Sequence, residues 1–232
     1  MRFPSPPLKG RLIRRYKRFL ADIELEDGST LTAHCPNTGS LLGCKEPGSP
    51  VWLRDSGNPK RKYRHTWQAV QVGKVWVNID TSLPNRIVSE ALEEGQVEGL
   101  ARFERLRNEV NYGDRSRIDI LLEGIAGVRC YIEVKNTTLA EGRVAAFPDA
   151  VTARGLKHLK ELERVVQAGD RAVQFFLVSR DDVDSLRPAD EIDPAYAEGL
   201  RSAAAAGVEI RAWTARVRST ALTLEREIEV LL

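Results

Sequence analysis

Asp119, Glu133 and Lys135 are the residues of this chain whose types and spacing point most directly to chemistry. They stand in Ser116-Arg117-Ile118-Asp119-Ile120-Leu121-Leu122 and, past a turn containing Gly124 and Gly127, in Cys130-Tyr131-Ile132-Glu133-Val134-Lys135. Side chains alternate along a strand, so Glu133 and Lys135 share one face while Ile132 and Val134 take the other. A Glu and a Lys on a half-buried strand must find partners or bear the cost of desolvation. Asp119, on the preceding strand, supplies a second carboxylate. Two hard oxygen ligands without thiolates or paired histidines favour Mg²⁺ or Mn²⁺, so Asp119 and Glu133 are the expected metal ligands. Such an ion would polarise a phosphodiester oxygen and acidify a bound water, with Lys135 orienting that water or offsetting developing charge.

An Asp, a short hairpin and then Glu-Val-Lys is the spacing of PD-(D/E)XK phosphodiesterases. Glu-Val-Lys alone is an ordinary strand tripeptide, and exposed Glu–Lys neighbours contribute little. Asp119, the turn length and the amphipathic helix that follows give the motif its weight. Glu90, near the apolar face of an upstream helix, is expected to complete the catalytic set. Glu109 competes with it, and Glu104 reads better as surface charge. Downstream, Arg154, Lys157 and His158 fall on neighbouring turns of one helix, where they could meet phosphate.

The elements that must position these residues follow from periodicity. Residues 19–25 alternate, Glu26-Asp27-Gly28-Ser29 is a hairpin signal, and residues 30–34 return. Residues 51–54, 66–72 and 75–79 read as further strands, the last two joined at Gly73-Lys74. Five short strands with glycine-rich turns predict a small closed barrel, OB-like by size. At Thr81-Ser82-Leu83-Pro84-Asn85 the period changes, and Pro84 opens a helix with Ile87, Val88, Ala91 and Leu92 on one face, ending near Gly95. The boundary therefore falls between residues 1–82 and 83–232. Beyond it come a hairpin (118–122 with 129–135), a helix (152–167), a buried strand (172–178), a helix (196–206) and a strand (208–212). That order predicts a mixed sheet flanked by helices, an α/β (α+β) domain.

The net charge of +2 hides an asymmetry. Residues 1–80 carry 14 Lys and Arg against 7 Asp and Glu, and residues 81–232 carry 21 against 26. The first part is expected to meet a polyanion. Its basic stretches interleave cations with aromatics: Arg14-Arg15-Tyr16-Lys17-Arg18-Phe19 and Lys60-Arg61-Lys62-Tyr63-Arg64-His65. Cations neutralise phosphates and aromatics stack on unpaired bases, so both suit a nucleic-acid groove. Asn37, in the loop Asn37-Thr38-Gly39-Ser40, could add polar contacts to phosphate.

Other classes are disfavoured. No apolar run approaches the roughly 18 to 20 residues of a membrane span, and residues 1–15 carry no secretory or transit signal, so a cytoplasmic protein without membrane partners is expected. Three cysteines, Cys35, Cys44 and Cys130, form no CxxC pair or disulfide framework. Adjacent His34 and Cys35 would point to opposite faces of a strand, which argues against a zinc site built from Cys35, Cys44, His34 and His65. Oligomeric state is left open, a homodimer included.

Several separate stretches then resemble one family, the sugar fermentation stimulation protein A (SfsA) family. They are Arg15-Tyr16-Lys17-Arg18-Phe19-Leu20-Ala21-Asp22, His34-Cys35-Pro36-Asn37-Thr38-Gly39, Lys60-Arg61-Lys62-Tyr63 and Pro84-Asn85-Arg86. The second half adds Tyr112-Gly113, Arg115-Ser116-Arg117-Ile118-Asp119, Tyr131-Ile132-Glu133-Val134-Lys135, Phe147-Pro148-Asp149-Ala150-Val151-Thr152, and Arg154-Gly155 with Lys157-His158-Leu159. The resemblance implies an N-terminal OB-like barrel and a C-terminal PD-(D/E)XK (restriction-endonuclease-like) domain. It also implies DNA binding with little sequence preference and a role in regulating sugar (maltose) utilisation genes. Arg115 and Arg117 join the expected nucleic-acid contacts. An active Mg²⁺- or Mn²⁺-dependent DNA endonuclease is the alternative reading, and an RNA-binding or RNA-processing protein a further one.

Overall fold

The structure is a computed structural model that describes residues 1–100, 103–112 and 116–232, with only the backbone of Ala126, so the expected contact Arg115 lies outside the described residues. The first sheet contains β1 (Leu8–Tyr16), β2 (Leu20–Leu25), β3 (Thr30–His34), β4 (Pro50–Asp55), β5 (His65–Val72) and β6 (Val75–Asn78). Its order is β3-β2-β1-β4-β5-β6, and a further β3–β5 pairing closes the barrel. Alternate residues fill the barrel, among them Leu12, Ile23, Ala33, Leu53, Trp67 and Val70. Five strands close it, as expected, but β1 is one of them and β6 extends the sheet outside. β1 escapes the periodicity reading because its register shifts between Leu12 and Arg14, which breaks the alternation in a segment already crowded with arginines.

The second sheet follows α1 (Pro84–Glu93) and begins with β7 (Arg105–Tyr112), β8 (Ser116–Glu123) and β9 (Arg129–Thr137). After β10 (Ala140–Glu141) and β11 (Val144–Phe147) come α2 (Ala153–Gln167), β12 (Arg171–Val178), β13 (Ser185–Pro188), α3 (Pro194–Ala205), β14 (Glu209–Val217) and β15 (Leu222–Val230). The nine strands are ordered β10-β11-β13-β15-β14-β12-β9-β8-β7. The predicted hairpin is β8–β9. β9 and β12 run parallel, a pairing that needs a long crossover, and α2 supplies it. The Thr152 hydroxyl caps α2 by accepting from the Gly155 N–H at 3.1 Å. Asp193 caps α3 on the Tyr196 N–H at 3.0 Å and also accepts from the Thr152 N–H at 2.7 Å, so the two helix starts are tied together. Strands β7 and β15 are the two long strands of this sheet that the sequence expectation leaves out. β15 does alternate, with Leu222, Leu224, Ile228 and Val230 on one face, while β7 is largely exposed and gives the cores only Leu106, Val110 and Tyr112.

The sheet is covered on both sides. Ile87, Val88, Ala91 and Leu92 of α1 form one core with Ile120, Ile132 and Phe175, joined by Trp52 and Ala69 from the barrel. Leu159, Leu162, Tyr196 and Leu200 of the other two helices form the opposite core with Leu121 and Phe176. The barrel is thus a packed layer of the molecule. Trp52 stacks on Trp76 with ring centroids 3.7 Å apart, and the Asn78 N–H donates to the Ser179 carbonyl at 2.9 Å. The first residues also cross the boundary: Arg2 bridges Ala221, and Met1 and Phe3 pack against the α1-side core. No described helix is long and apolar enough to cross a membrane.

Candidate active site at the domain junction

The ladder between β8 and β9 runs from Glu123↔Arg129 to Ile120↔Ile132 and then parts. Beyond that point the Val134 N–H, which a continuing ladder would give to a carbonyl, donates to Asp119 Oδ2 at 2.8 Å. Asp119 Oδ1 accepts from Asn85 Nδ2 at 2.8 Å, an amide delivered by the first turn of α1. On its other side β9 stays paired to β12 as far as Thr137, so Glu133 and Lys135 ride on a strand held at one edge and open at the other.

Glu133 is 2% exposed. Its Oε1 receives the Lys135 ammonium at 2.5 Å and a very short contact from His158 Nδ1. Arg154 Nε donates to His158 Nε2 at 3.3 Å, which places the imidazole proton on Nδ1, where it is given to Glu133. Gln174, opposite Glu133 across the β9–β12 ladder, donates to the Glu133 carbonyl at 3.0 Å. Glu133 Oε2 is buried and accepts no hydrogen bond. A buried carboxylate oxygen without a donor is costly, and a cation would relieve it.

The two acids are pushed apart electrostatically. Burial, and then the charge of Glu133, push Asp119 up to about 6 against the Val134 N–H, Lys135 and Asn85. Burial would raise Glu133 as well, but the His158 hydrogen bond and the Lys135 charge outweigh it and hold the group below the ordinary carboxylate range. Neighbouring acids driven in opposite directions are a mark of functional sites. Hard oxygens on Asp119 and Glu133, one of them unsatisfied, fit a divalent cation such as Mg²⁺ or Mn²⁺. Among the described residues no group of three or more His, Cys, Asp or Glu side chains converges on a metal position. Two protein carboxylates with the rest of the shell left to water and phosphate is the habit of Mg²⁺.

These groups line one side of a cleft of about 450 Å³. The barrel provides another wall through Asn37, Thr38 and Gly39. Two anchors hold that loop. The Arg15 guanidinium donates to the carbonyls of Asn37 at 2.9 Å, Gly39 at 2.8 Å and Arg18 at 2.8 Å. From the other side Asp149 accepts the Leu41 N–H at 2.9 Å, while the Ser40 hydroxyl bonds the Asp149 carbonyl. Gly39 permits this approach: a Cβ there would lie 2.7 Å from Asp149 Oδ1 and 3.0 Å from Asn37 Oδ1.

The expected site residues are therefore distributed unevenly. Asp119, Glu133, Lys135, Asn37, Arg154 and His158 line the cleft. Glu90 does not, and this corrects the sequence expectation: its carboxylate pairs with the Met1 ammonium at 2.7 Å and with Arg86 at 3.0 Å, and Asn85 is the α1 residue that reaches Asp119. Glu109 approaches the outer side of Asn85 at 3.4 Å and pairs with Arg117 at 2.7 Å. Lys157 points to Glu161 at 3.5 Å and not into the cleft.

On the barrel, Arg14 and Tyr16 both bond Asp22, at 2.8 and 3.1 Å. Arg15, expected at phosphate, instead organises the cleft loop, a role with no signature in the local sequence. Lys17 and Arg18 are exposed in the β1–β2 turn beside Phe19, and Lys60 and Lys62 are exposed in the β4–β5 loop. Arg61 leans on Thr66 and His34, and Arg64 pairs with Asp55. Asn85, Phe147 and Asp149 escape the sequence reading as site residues, although each sits in a stretch that carries the family resemblance.

Comparisons with known proteins agree along the whole chain. Residues 13–79 match the model described as SfsA N-terminal OB domain, and residues 82–221 match that of the sugar fermentation stimulation protein RE domain. The chain is 56% identical to the sugar fermentation stimulation protein homolog of Pelobacter propionicus, with 100% of each covered. It is 53% identical to the homolog of Geobacter sulfurreducens, covering 100% of this chain and 99% of that one. The solved structure of Pyrococcus furiosus SfsA in complex with Ca²⁺ superposes with a TM-score of 0.91 at 28% identity, covering 100% of this chain and 98% of the other.

Proposed function

The chain belongs to the sugar fermentation stimulation protein family, and from that premise we propose that it binds DNA and hydrolyses its phosphodiester bonds with a divalent metal. One observation carries the reading: Glu133 Oε2 is buried without a hydrogen-bond partner beside Asp119, while Lys135 and His158 hold the other oxygen. A bound Mg²⁺ or Mn²⁺ would supply charge at the phosphate and an acidified water. Asp119 and Glu133 would hold it. The Ca²⁺ of the Pyrococcus furiosus SfsA complex is a hard, oxygen-seeking cation of the same kind.

The chain's own groups do the positioning. Asn85 and the Val134 N–H fix both oxygens of Asp119. His158 fixes Glu133. The Lys135 ammonium, half-buried next to Glu133, is placed to orient a water or to offset charge growing on the phosphate. Arg154, exposed on the cleft wall, is available to a phosphate oxygen. The regulatory role that the family name implies requires DNA binding alone. The buried acids argue for more, because carboxylates brought toward phosphates without a cation repel them.

Purified protein should nick plasmid DNA with Mn²⁺ or Mg²⁺. Asp119→Ala and Lys135→Ala should abolish nicking while DNA binding persists in a gel-shift assay. Nicking that survives in both variants would refute the assignment.

A further inference from the structure

The cleft also constrains the form of DNA it can take, an inference that rests on the phosphodiesterase reading above. We infer that it admits one unpaired nucleotide, the phosphate at Asp119, Glu133 and Lys135 and the base toward Phe147, and that it excludes a base-paired step.

Size is the first argument. The space of about 450 Å³ is walled by both domains and open to solvent on its remaining side, and its volume falls within the roughly 300–1,000 Å³ of small-ligand pockets. The barrel loop cannot swing aside freely, because Arg15 holds it from one side and Asp149 from the other. A paired nucleotide would have to bring its partner strand through that wall.

Charge is the second argument. Lys135 and Arg154 are the Lys and Arg side chains among the lining residues, and Lys135 is committed to Glu133. That suffices for the phosphates of one strand at one position. Away from Asp119, Glu133 and Asp149, whose carboxylate is taken up by the Leu41 N–H, the walls include the uncharged Asn136, Thr138, Leu139, Ala146 and Phe147. Amide, hydroxyl and ring suit a base or sugar better than a phosphate. Phe147 is half-buried and braced by Phe176 and Tyr196, with ring centroids at 5.3 and 5.2 Å, so its ring is fixed in place.

The barrel surface supplies an independent third argument. Phe19 is 49% exposed between the cation pair Lys17–Arg18 and the body of the barrel. Arg15 touches both this turn and the cleft loop, through the carbonyls of Arg18 and Asn37. An exposed ring beside cations offers stacking to unpaired bases, whose faces are free, and little to a stacked duplex. Extruding a paired base costs its pairing and stacking, so DNA that already carries an unpaired residue is preferred.

The test compares a blunt linear duplex, the same duplex with a one-nucleotide bulge carrying 2-aminopurine, and a single strand carrying 2-aminopurine. Full-length protein is titrated with each in Ca²⁺ and read by anisotropy and 2-aminopurine emission. The bulged and single-stranded DNAs should bind about tenfold more tightly than the blunt duplex, with emission changing on binding. Phe147→Leu should erase both the preference and the emission change. Because Phe147 is also packed in the core, Leu139→Trp serves as a second variant that fills the base end: bulged DNA should then bind it no more tightly than the blunt duplex does. Equal affinity for bulged and blunt DNA, with no emission change, would overturn the inference and leave DNA binding standing. Failure to bind any of the three would instead overturn the DNA reading itself.

Discussion

Asp119 in the cleft and Asp55 on the barrel are the same side chain pushed in opposite directions. Burial, then Glu133, drives Asp119 up to about 6. The Arg64 hydrogen bond, then the Gly57 N–H, draws Asp55 down to about 2. The difference is general to the two regions. Charges on the barrel are largely exposed, and they either pair with each other or keep their water. The paired acids in the cleft are desolvated and share too few donors, so Glu133 Oε2 has none. Surface pairing satisfies a charge with little desolvation. A desolvated acid pair stays unfavourable until a cation or substrate arrives, so under the proposed function the cleft would be the reactive region and the barrel the docking region.

The largest expected effect divides two glutamates that the sequence places in one set. Glu133→Gln should lower metal-dependent cleavage at least about a hundredfold, the scale for removing one directly acting polar group. Glu90→Gln should leave it within about twofold, as read by plasmid-nicking rates. Equal losses would return Glu90 to the site and dissolve the contrast.

Next comes the pH dependence of stability in metal-free protein. Asp119 binds its proton more tightly folded than unfolded, so its contribution favours the folded state most below the ordinary carboxylate pKa. That contribution is lost as pH rises through about 6. A shift from 3.8 to about 6 corresponds to at most about 3 kcal/mol. Asp119→Asn should flatten this decline in denaturant midpoints measured from about pH 4 to about pH 6, the window that the shift spans. An unchanged slope would show that the acid is not held in the buried setting described.

A smaller effect separates the barrel cations by role. Lys17→Ala and Lys62→Ala should each weaken DNA affinity a fewfold and reduce the salt slope by up to about 0.9. Arg15→Ala should leave the salt slope nearly intact yet impair cleavage, because its guanidinium serves the loop carbonyls. The opposite ranking would make Arg15 a phosphate contact after all. Smallest of all, Asp55→Asn should leave the thermal midpoint at neutral pH unchanged, since exposed pairs contribute little.

How much of this is legible in the sequence follows from what each signal encodes. The β8–β9 hairpin, the α1 and α2 faces and the Asp119, Glu133 and Lys135 set are local patterns, readable from alternation and helical spacing. β1 is hidden by a register shift among arginines, whereas β15 carries a readable alternation at Leu222, Leu224, Ile228 and Val230 that the sequence expectation passes over. Glu90 looks suitable because helical spacing tells which face a residue occupies, and not what else reaches that face. The Met1 ammonium, remote in sequence, reaches it first.

The sequence by itself determined the two-domain order, the basic character of the first domain and the identity of the acids and lysine, because these depend on residue type and short-range period. Only the tertiary structure decided that the barrel loop forms a wall of the cleft. It also decided that Arg15 supports that wall and that Asn85, not Glu90, steadies Asp119. Those outcomes rest on contacts between residues far apart along the chain, such as Leu41 with Asp149 and Asn85 with Asp119. The same holds for burial, which turns an ordinary Glu-Val-Lys strand into a desolvated charge cluster. Burial is a property of everything packed around a residue, and no local spacing records it.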